Sequence, residues 1–263
     1  MKNEIGIGII DLFSQKELNE CIESVSRLNF DKDNLLIMSL TENKIPKDIS
    51  FKRYTTFVQL SFLRNYILSQ FRLKKLKYFF ILNSNQIVKN ENLLEDTINL
   101  GNTFGTWFIL GHDNKIQTIE DDSKIELSIS NVINPNFLFL NYAIVKNFGF
   151  FNEKYCNGDK LDILDYIINL RTKKVFPPSG YYPTIDKNWI EKTNSKITVK
   201  GYTDLSINLD KSLNISYGHF VASHKYMPLQ DDQKPVTVDD FLSSMEFLQK
   251  NYSKNENSNN NTQ

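Results

Sequence analysis

The sequence predicts an α/β fold, a mostly parallel sheet flanked by helices, and three observations predict it. Short apolar runs of strand length, such as Ile5 to Ile10, Leu35 to Leu40 and Tyr78 to Leu82, end abruptly in polar residues. They are apolar throughout, as strands covered on both faces are. Between them lie segments whose apolar residues recur at helical spacing, so strands and helices alternate along the chain.

The first strand, Ile5 to Ile10, stops at Asp11. In the polar turn that follows, Ser14 is a helix N-cap, and Glu17, three residues on, completes a capping-box pattern. Leu18, Cys21, Ile22, Val25 and Leu28 then mark one helix face. Leu35 to Leu40 is the second strand, ending at Thr41-Glu42-Asn43, and Phe51 to Tyr54 is a short third. Leu60, Leu63, Ile67, Leu68 and Phe71 share the face of a helix predicted from about Thr56 into the basic run Arg72 to Lys77. Cations at a helix C-terminus complement its dipole, a simpler reading of that run than a membrane-surface patch.

Tyr78 to Leu82 is the central strand, stopped by Asn83-Ser84-Asn85. A helix over Asn92 to Leu100 and a strand over Trp107 to Leu110 are expected next, then an exposed acidic loop over Asp113 to Lys124. Phe137 to Leu140 is apolar, Gly149 marks a turn, and Leu161 to Leu170 is a helix. Lys174-Val175-Phe176 reads as a short strand closed by Pro177-Pro178. Beyond Pro183 the pattern weakens, until a final helix over Val238 to Tyr252. The expected organisation is a core over 1–183, an extension of the same domain over 184–252, and a disordered tail over 253–263.

The chain has 263 residues, enough to bury a substantial core. Lys plus Arg and Asp plus Glu are both 31, so the formal charge is zero and no nucleic-acid partner is expected. Cys21 and Cys156 are far apart and form no metal or disulfide pattern. No apolar stretch reaches the length of a membrane span, and the N-terminal run reads as a strand rather than a signal peptide. The expected location is cytoplasmic.

Ligands of parallel sheets collect beyond the carboxyl ends of the strands, which singles out Asp11, Glu42 and Asn83 to Asn85. In order, these ends and the segments after them resemble the family-2 glycosyltransferases. Ile7 to Ser14 enters a helix carrying Cys21-Ile22-Glu23-Ser24-Val25, and Leu63-Arg64-Asn65 stands where that family has Ala-Arg-Asn. Gly149-Phe150-Phe151-Asn152-Glu153 matches a turn of the family closely, and Asp159 to Asp165 follows where its acidic segment opens a helix. The departure is at the central strand, where Asn83-Ser84-Asn85 replaces Asp-x-Asp. The likeness covers roughly the first two-thirds of the chain, judged by pattern alone.

The resemblance implies a GT-A-like (Rossmann-like) mixed, mostly parallel sheet with a C-terminal extension. It implies transfer of a sugar from a nucleotide-sugar donor, UDP-type favoured, to a glycan or lipid-linked acceptor in polysaccharide biosynthesis. Inversion is expected, with Asp162 deprotonating the acceptor and Asp159 and Asp165 as neighbours able to take that role. Asp11, Glu42, Arg64, Asn83, Asn85 and His219 are the implied donor-binding residues. A Mn2+ or Mg2+ ion held with Asn85 and His219 is one option and metal-independent transfer another, because amides bring no charge to a cation. A catalytically silent GT-A-like binding or assembly subunit is the alternative function. A nucleotidyltransferase fits less well, because Asp11 to Gln15 holds neither glycine nor arginine. A lipid-linked acceptor would place the chain peripherally at the inner membrane face.

Overall fold

All seven residues of β1 (Ile5–Asp11) are buried, as a strand apolar on both faces must be. The structure is a computed structural model. It describes residues 1–199 apart from 57, 113–115, 121–125, 131–132, 155–160, 174–175, 177–181 and 194–196. The expected extension beyond residue 200, with His219, His224, the final helix and the tail, lies outside the described residues, as does Asp159.

After β1 the chain forms α1 (Gln15–Ser26), β2 (Leu35–Ser39), β3 (Ser50–Arg53), α2 (Leu60–Leu73) and β4 (Tyr78–Asn83). β5 (Gln86–Val88), α3 (Leu93–Phe104) and β6 (Phe108–Leu110) follow, then the hairpin of β7 (Ile116–Glu120) and β8 (Glu126–Ser130). The remaining elements are β9 (Phe137–Asn141), α4 (Tyr142–Phe148), α5 (Leu161–Thr172), β10 (Tyr182–Thr184) and β11 (Ile190–Lys192).

Among the described residues nine strands form one sheet in the order β3-β2-β1-β4-β9-β6-β10-β8-β7. β3, β2, β1 and β4 run parallel. β9 is antiparallel to both β4 and β6, β10 is parallel to β6, and β8 is antiparallel to β10 and β7. The sheet is thus mixed, with parallel strands where β1 and β4 end side by side. β5 and β11 form a separate antiparallel pair.

The two-residue period of β1 sorts its side chains between two cores. Ile5, Ile7 and Ile9 pack with α1 and α3, while Ile10 packs with α2, α4 and α5. Gly6 and Gly8 let α2 press against the second face. A methyl group at Gly8 would lie 2.5 Å from Ile67 Cγ2. The capping box read from the sequence is present: Ser14 N–H donates to Glu17 Oε2 at 3.0 Å, and Ser14 Oγ accepts from Glu17 N–H at 3.5 Å.

Three expectations are corrected. The acidic loop over Asp113 to Lys124 contains a strand, β7, paired residue by residue with β8 from Ile116 and Ser130 to Glu120 and Glu126. Of the charged residues in that segment only Glu120 lies in β7, which is the edge strand of the sheet. α2 begins at Leu60, four residues after Thr56, with Gln59 as N-cap. Phe176 belongs to no strand and is buried against Phe108, whereas residues 174–175 lie outside the description.

Candidate functional site

The parallel strands deliver Asp11, Ser39 and Ser84 to one edge, because β1 lies between β2 and β4. Asp11 is fully buried and accepts from every side. Its Oδ2 takes Ser39 Oγ at 2.8 Å and the Thr41 hydroxyl. Its Oδ1 takes Asn43 Nδ2 at 3.0 Å and Ser84 Oγ at 3.2 Å. Asn43 Nδ2 also donates to the Phe13 carbonyl at 2.9 Å, fixing the turn after β1. Among the described residues no cation touches this carboxylate. Burial pushes its proton affinity above the ordinary aspartate range, against the pull of these four donors.

Asn83 and Asn85 also point into the protein. They are 6% and 1% exposed, so their polar atoms must find partners inside. Asn83 Nδ2 donates to Asn136 Oδ1 at 2.8 Å, Asn136 Nδ2 donates to Asn134 Oδ1 at 2.8 Å, and Asn134 Nδ2 donates to the His112 carbonyl. The backbone N–H of Asn136 reaches the same Asn134 oxygen at 3.1 Å. Asn85 Oδ1 accepts from Gln86 Nε2 at 3.0 Å, and the Asn85 carbonyl accepts from Thr193 N–H at 3.0 Å. Thr193 Oγ1 donates in turn to Glu17 Oε1, and Thr198 N–H donates to the Leu12 carbonyl at 3.0 Å. The chain after β11 therefore crosses the ends of both β1 and β4.

A second polar centre lies between α2 and α5. Arg64 and Asp162, 98 residues apart, form an ion pair from Nη1 to Oδ2 with 1% and 0% of their side chains exposed. Asp162 Oδ1 accepts from the Ile163 N–H at 2.9 Å. Burial raises the proton affinity of Asp162, opposed by the charge and hydrogen bond of Arg64. Arg64 Nε and Nη2 are buried without a hydrogen-bond partner among the described residues. Asn65 clamps the turn at Gly149 to Glu153: its Nδ2 donates to the Phe151 carbonyl and to Glu153 Oε1, each at 2.8 Å, and its Oδ1 accepts the Phe151 N–H at 2.8 Å. Gly149 supplies the positive φ of 80° that this turn requires. Phe151 packs against Tyr166 of α5, the two rings tilted by 40° with their centroids 4.7 Å apart.

The structure thus joins Leu63-Arg64-Asn65, the Gly149 turn and Asp162, which are far apart in sequence. It joins Asp11 to Ser84, between the two asparagines. Glu42 is exposed and takes no place in the Asp11 cluster, whose members on either side of it are Thr41 and Asn43. Sequence reasoning did not find Ser39, Thr41, Asn43, Asn134 or Asn136. Their only signal is a density of small polar residues just beyond strand ends. Trp107 stacks on Tyr78 with ring centroids 6.3 Å apart.

A divalent cation does not fit the residues at the end of β4. Asn83 and Asn85 carry no charge, Asn83 Nδ2 and Asn85 Oδ1 are engaged within the protein, and the Asp11 carboxylate is taken up by its four donors. Among the described residues no group of three or more His, Cys, Asp or Glu is arranged to hold a metal ion. Among them, too, no helix is long and apolar enough to cross a membrane.

The sheet order, its helices on both faces and the polar edge where β1 and β4 end define a GT-A-like glycosyltransferase fold. Solved structures with that fold superpose on this chain. S. aureus TarS does so with a TM-score of 0.51 at 12% identity, over 92% of this chain and 55% of that one, so this chain spans little more than half of its length. TarS 1-349 in complex with UDP-GlcNAc gives a TM-score of 0.47 at 12% identity, over 93% and 81% of the two chains. The mannosyltransferase PcManGT from Pyrobaculum calidifontis, in complex with GDP-Man and Mn2+, gives 0.47 at 8% identity, over 94% and 69%. No protein-family model matches the chain, and no curated protein matches it in sequence. At such identities the likeness is one of fold.

Proposed function

We propose that this chain is a glycosyltransferase that moves a sugar from a nucleotide-sugar donor, UDP-type, to a hydroxyl of a glycan or lipid-linked acceptor, with inversion at the anomeric carbon. The observation that carries the reading is the convergence of Arg64-Asn65, the Gly149 turn and Asp162 on a GT-A-like sheet. In this reading the acceptor oxygen attacks the anomeric carbon as the bond to the diphosphate oxygen breaks. The leaving electron pair departs with the nucleoside diphosphate, and the acceptor proton passes to Asp162. A base benefits from raised proton affinity, and burial raises that of Asp162. Its lack of exposure means that the start of α5 must open for an acceptor to reach it.

The donor would lie beyond the ends of β1 and β4, bordered by Glu42 and the Asn83 to Asn85 turn. Asp11 would act from below by holding Asn43 and Ser84, and Arg64 by holding Asp162. His219 remains in this proposal as a donor ligand from outside the described residues. We place the reaction in the cytoplasm, at the inner membrane face where the acceptor is lipid-linked, as a step in polysaccharide biosynthesis.

The complete burial of Asp162 and of the Asn83 to Asn85 turn favours one rival, a GT-A-like binding or assembly subunit without catalysis. Thermal unfolding with UDP, GDP and CMP separates the two, because a ligand of the native state raises the Tm by mass action. The expected result is a rise with UDP, and UDP-sugar turnover that Asp162→Asn lowers by roughly 10²–10⁴ while the UDP shift remains. No shift with any nucleotide would sink the enzyme and leave the subunit.

A further inference from the structure

We infer that the end of β4 is an amide relay that excludes a divalent cation, so that a diphosphate bound there is bound without one. The second half of this inference rests on the transferase reading; the first half does not.

The direction of the relay is set at its far end. The His112 carbonyl can only accept, and the Asn136 backbone N–H can only donate. Asn134 lies between them, so its Nδ2 must face His112 and its Oδ1 must face Asn136. The Asn136 amide then has one arrangement: Nδ2 toward Asn134 and Oδ1 toward residue 83. Residue 83 is therefore required to donate. An asparagine does so and a carboxylate cannot. A carboxylate at 83 would meet the Asn136 oxygen, and turning the Asn136 amide over would only move the clash to the Asn134 oxygen.

The remaining ligands are equally committed. Hard cations take their affinity from charged oxygens. Asp11, hydrogen-bonded to this turn through Ser84, already accepts from Ser39, Thr41, Asn43 and Ser84. Asn85 is neutral, and its Oδ1 accepts from Gln86. Among the described residues no charge is left to hold a divalent ion against its hydration shell.

Electron paramagnetic resonance of Mn2+ mixed with the chelator-treated full chain, alone and with UDP, reads the cation directly. The expected signal in each case is that of the same mixture without protein. Stoichiometric loss of that signal, restored by Asn83→Ala or Asn85→Ala, overturns the inference. The relay itself is read by Asn83→Asp. This variant is expected to lower the Tm by several degrees at neutral pH, with the deficit shrinking as pH falls toward the ordinary aspartate range. The folded pKa of the introduced carboxyl is raised, so its stability is lost as pH rises, and its protonated form can donate to Asn136 Oδ1. An unchanged Tm at neutral pH, or capture of Mn2+ by Asn83→Asp, overturns the inference. A UDP-induced Tm rise of equal size in manganese and in EDTA supports it, and a rise that EDTA removes overturns it. If no nucleotide shifts the Tm while both other results are as expected, the relay stands and the transferase reading falls.

Discussion

The two polar centres solve the same problem, burial of a carboxylate, in opposite ways. Asp11 is surrounded by neutral donors, three hydroxyls and an amide, and meets no cation among the described residues. Asp162 meets a guanidinium and one backbone N–H, and that guanidinium keeps two nitrogens unmet. The first centre is saturated and the second is not. A saturated cluster fixes the ends of three strands relative to one another. An unsaturated buried pair holds interaction capacity in reserve, and each partner is exposed to loss of the other, because a lone buried charge is costly.

The largest effect should therefore come from breaking the pair. Arg64→Ala leaves Asp162 buried without its cation and should cost about 3–5 kcal/mol in urea unfolding. Arg64→Met combined with Asp162→Leu removes both charges and should recover much of that loss. If Arg64→Ala proves no worse than the double variant, the pair is not the hinge of this centre and the contrast with Asp11 collapses.

Asp11→Ala should cost less, about 2–3 kcal/mol, since it strands several neutral donors rather than one charge. The pH dependence sharpens the comparison. The folded pKa of Asp11 lies above its unfolded value, so its contribution is fully present below about pH 4 and is lost as pH rises through the folded value. Asp162 has the same sign. Asp11→Asn removes one of these titrations, so the fall in stability from acid to neutral pH should be shallower in this variant than in the wild type. An identical slope would mean that Asp11 does not titrate in that window.

Much of the frame was legible in the sequence, and the polar centres only in fragments. β1, β4, the face of α1 and the Ser14 capping box followed from local patterns, which depend on neighbours one to four residues away. The partners of Asp11 lie 28 to 73 residues away, and only strand order brings them together. Arg64 and Asp162 entered through a family resemblance, which supplies positions without pairing them. The β7–β8 hairpin was hidden because Ile116 to Glu120 is short and stands between charged residues that read as a loop. Pro183 concealed β10, where it pairs with Ile129, because proline argues against strand in a local reading. Asn83 looked like a lost ligand. Asn136 and Asn134 turn it into a required donor, and neither stands in a periodic pattern.

The smallest expected effect tests whether the capping box belongs to either centre. Glu17 accepts from Ser14 N–H and Ser14 Oγ and also from Thr193 Oγ1, while Thr193 N–H holds the carbonyl of Asn85. The start of α1 is thus two contacts from the end of β4. Ser14→Ala deletes the hydroxyl but leaves the Glu17 carboxylate in place for Thr193. It should cost about 1 kcal/mol, the usual value for a lost N-cap, with the UDP response unchanged. Glu17→Ala removes the cap and the Thr193 contact together, so its cost should exceed that of Ser14→Ala. The excess measures how firmly the segment after β11 is tied across the strand ends. Equal costs for the two variants would mean that this tie adds nothing to the Asn85 carbonyl bond, and that the β4 end is held by its amides alone.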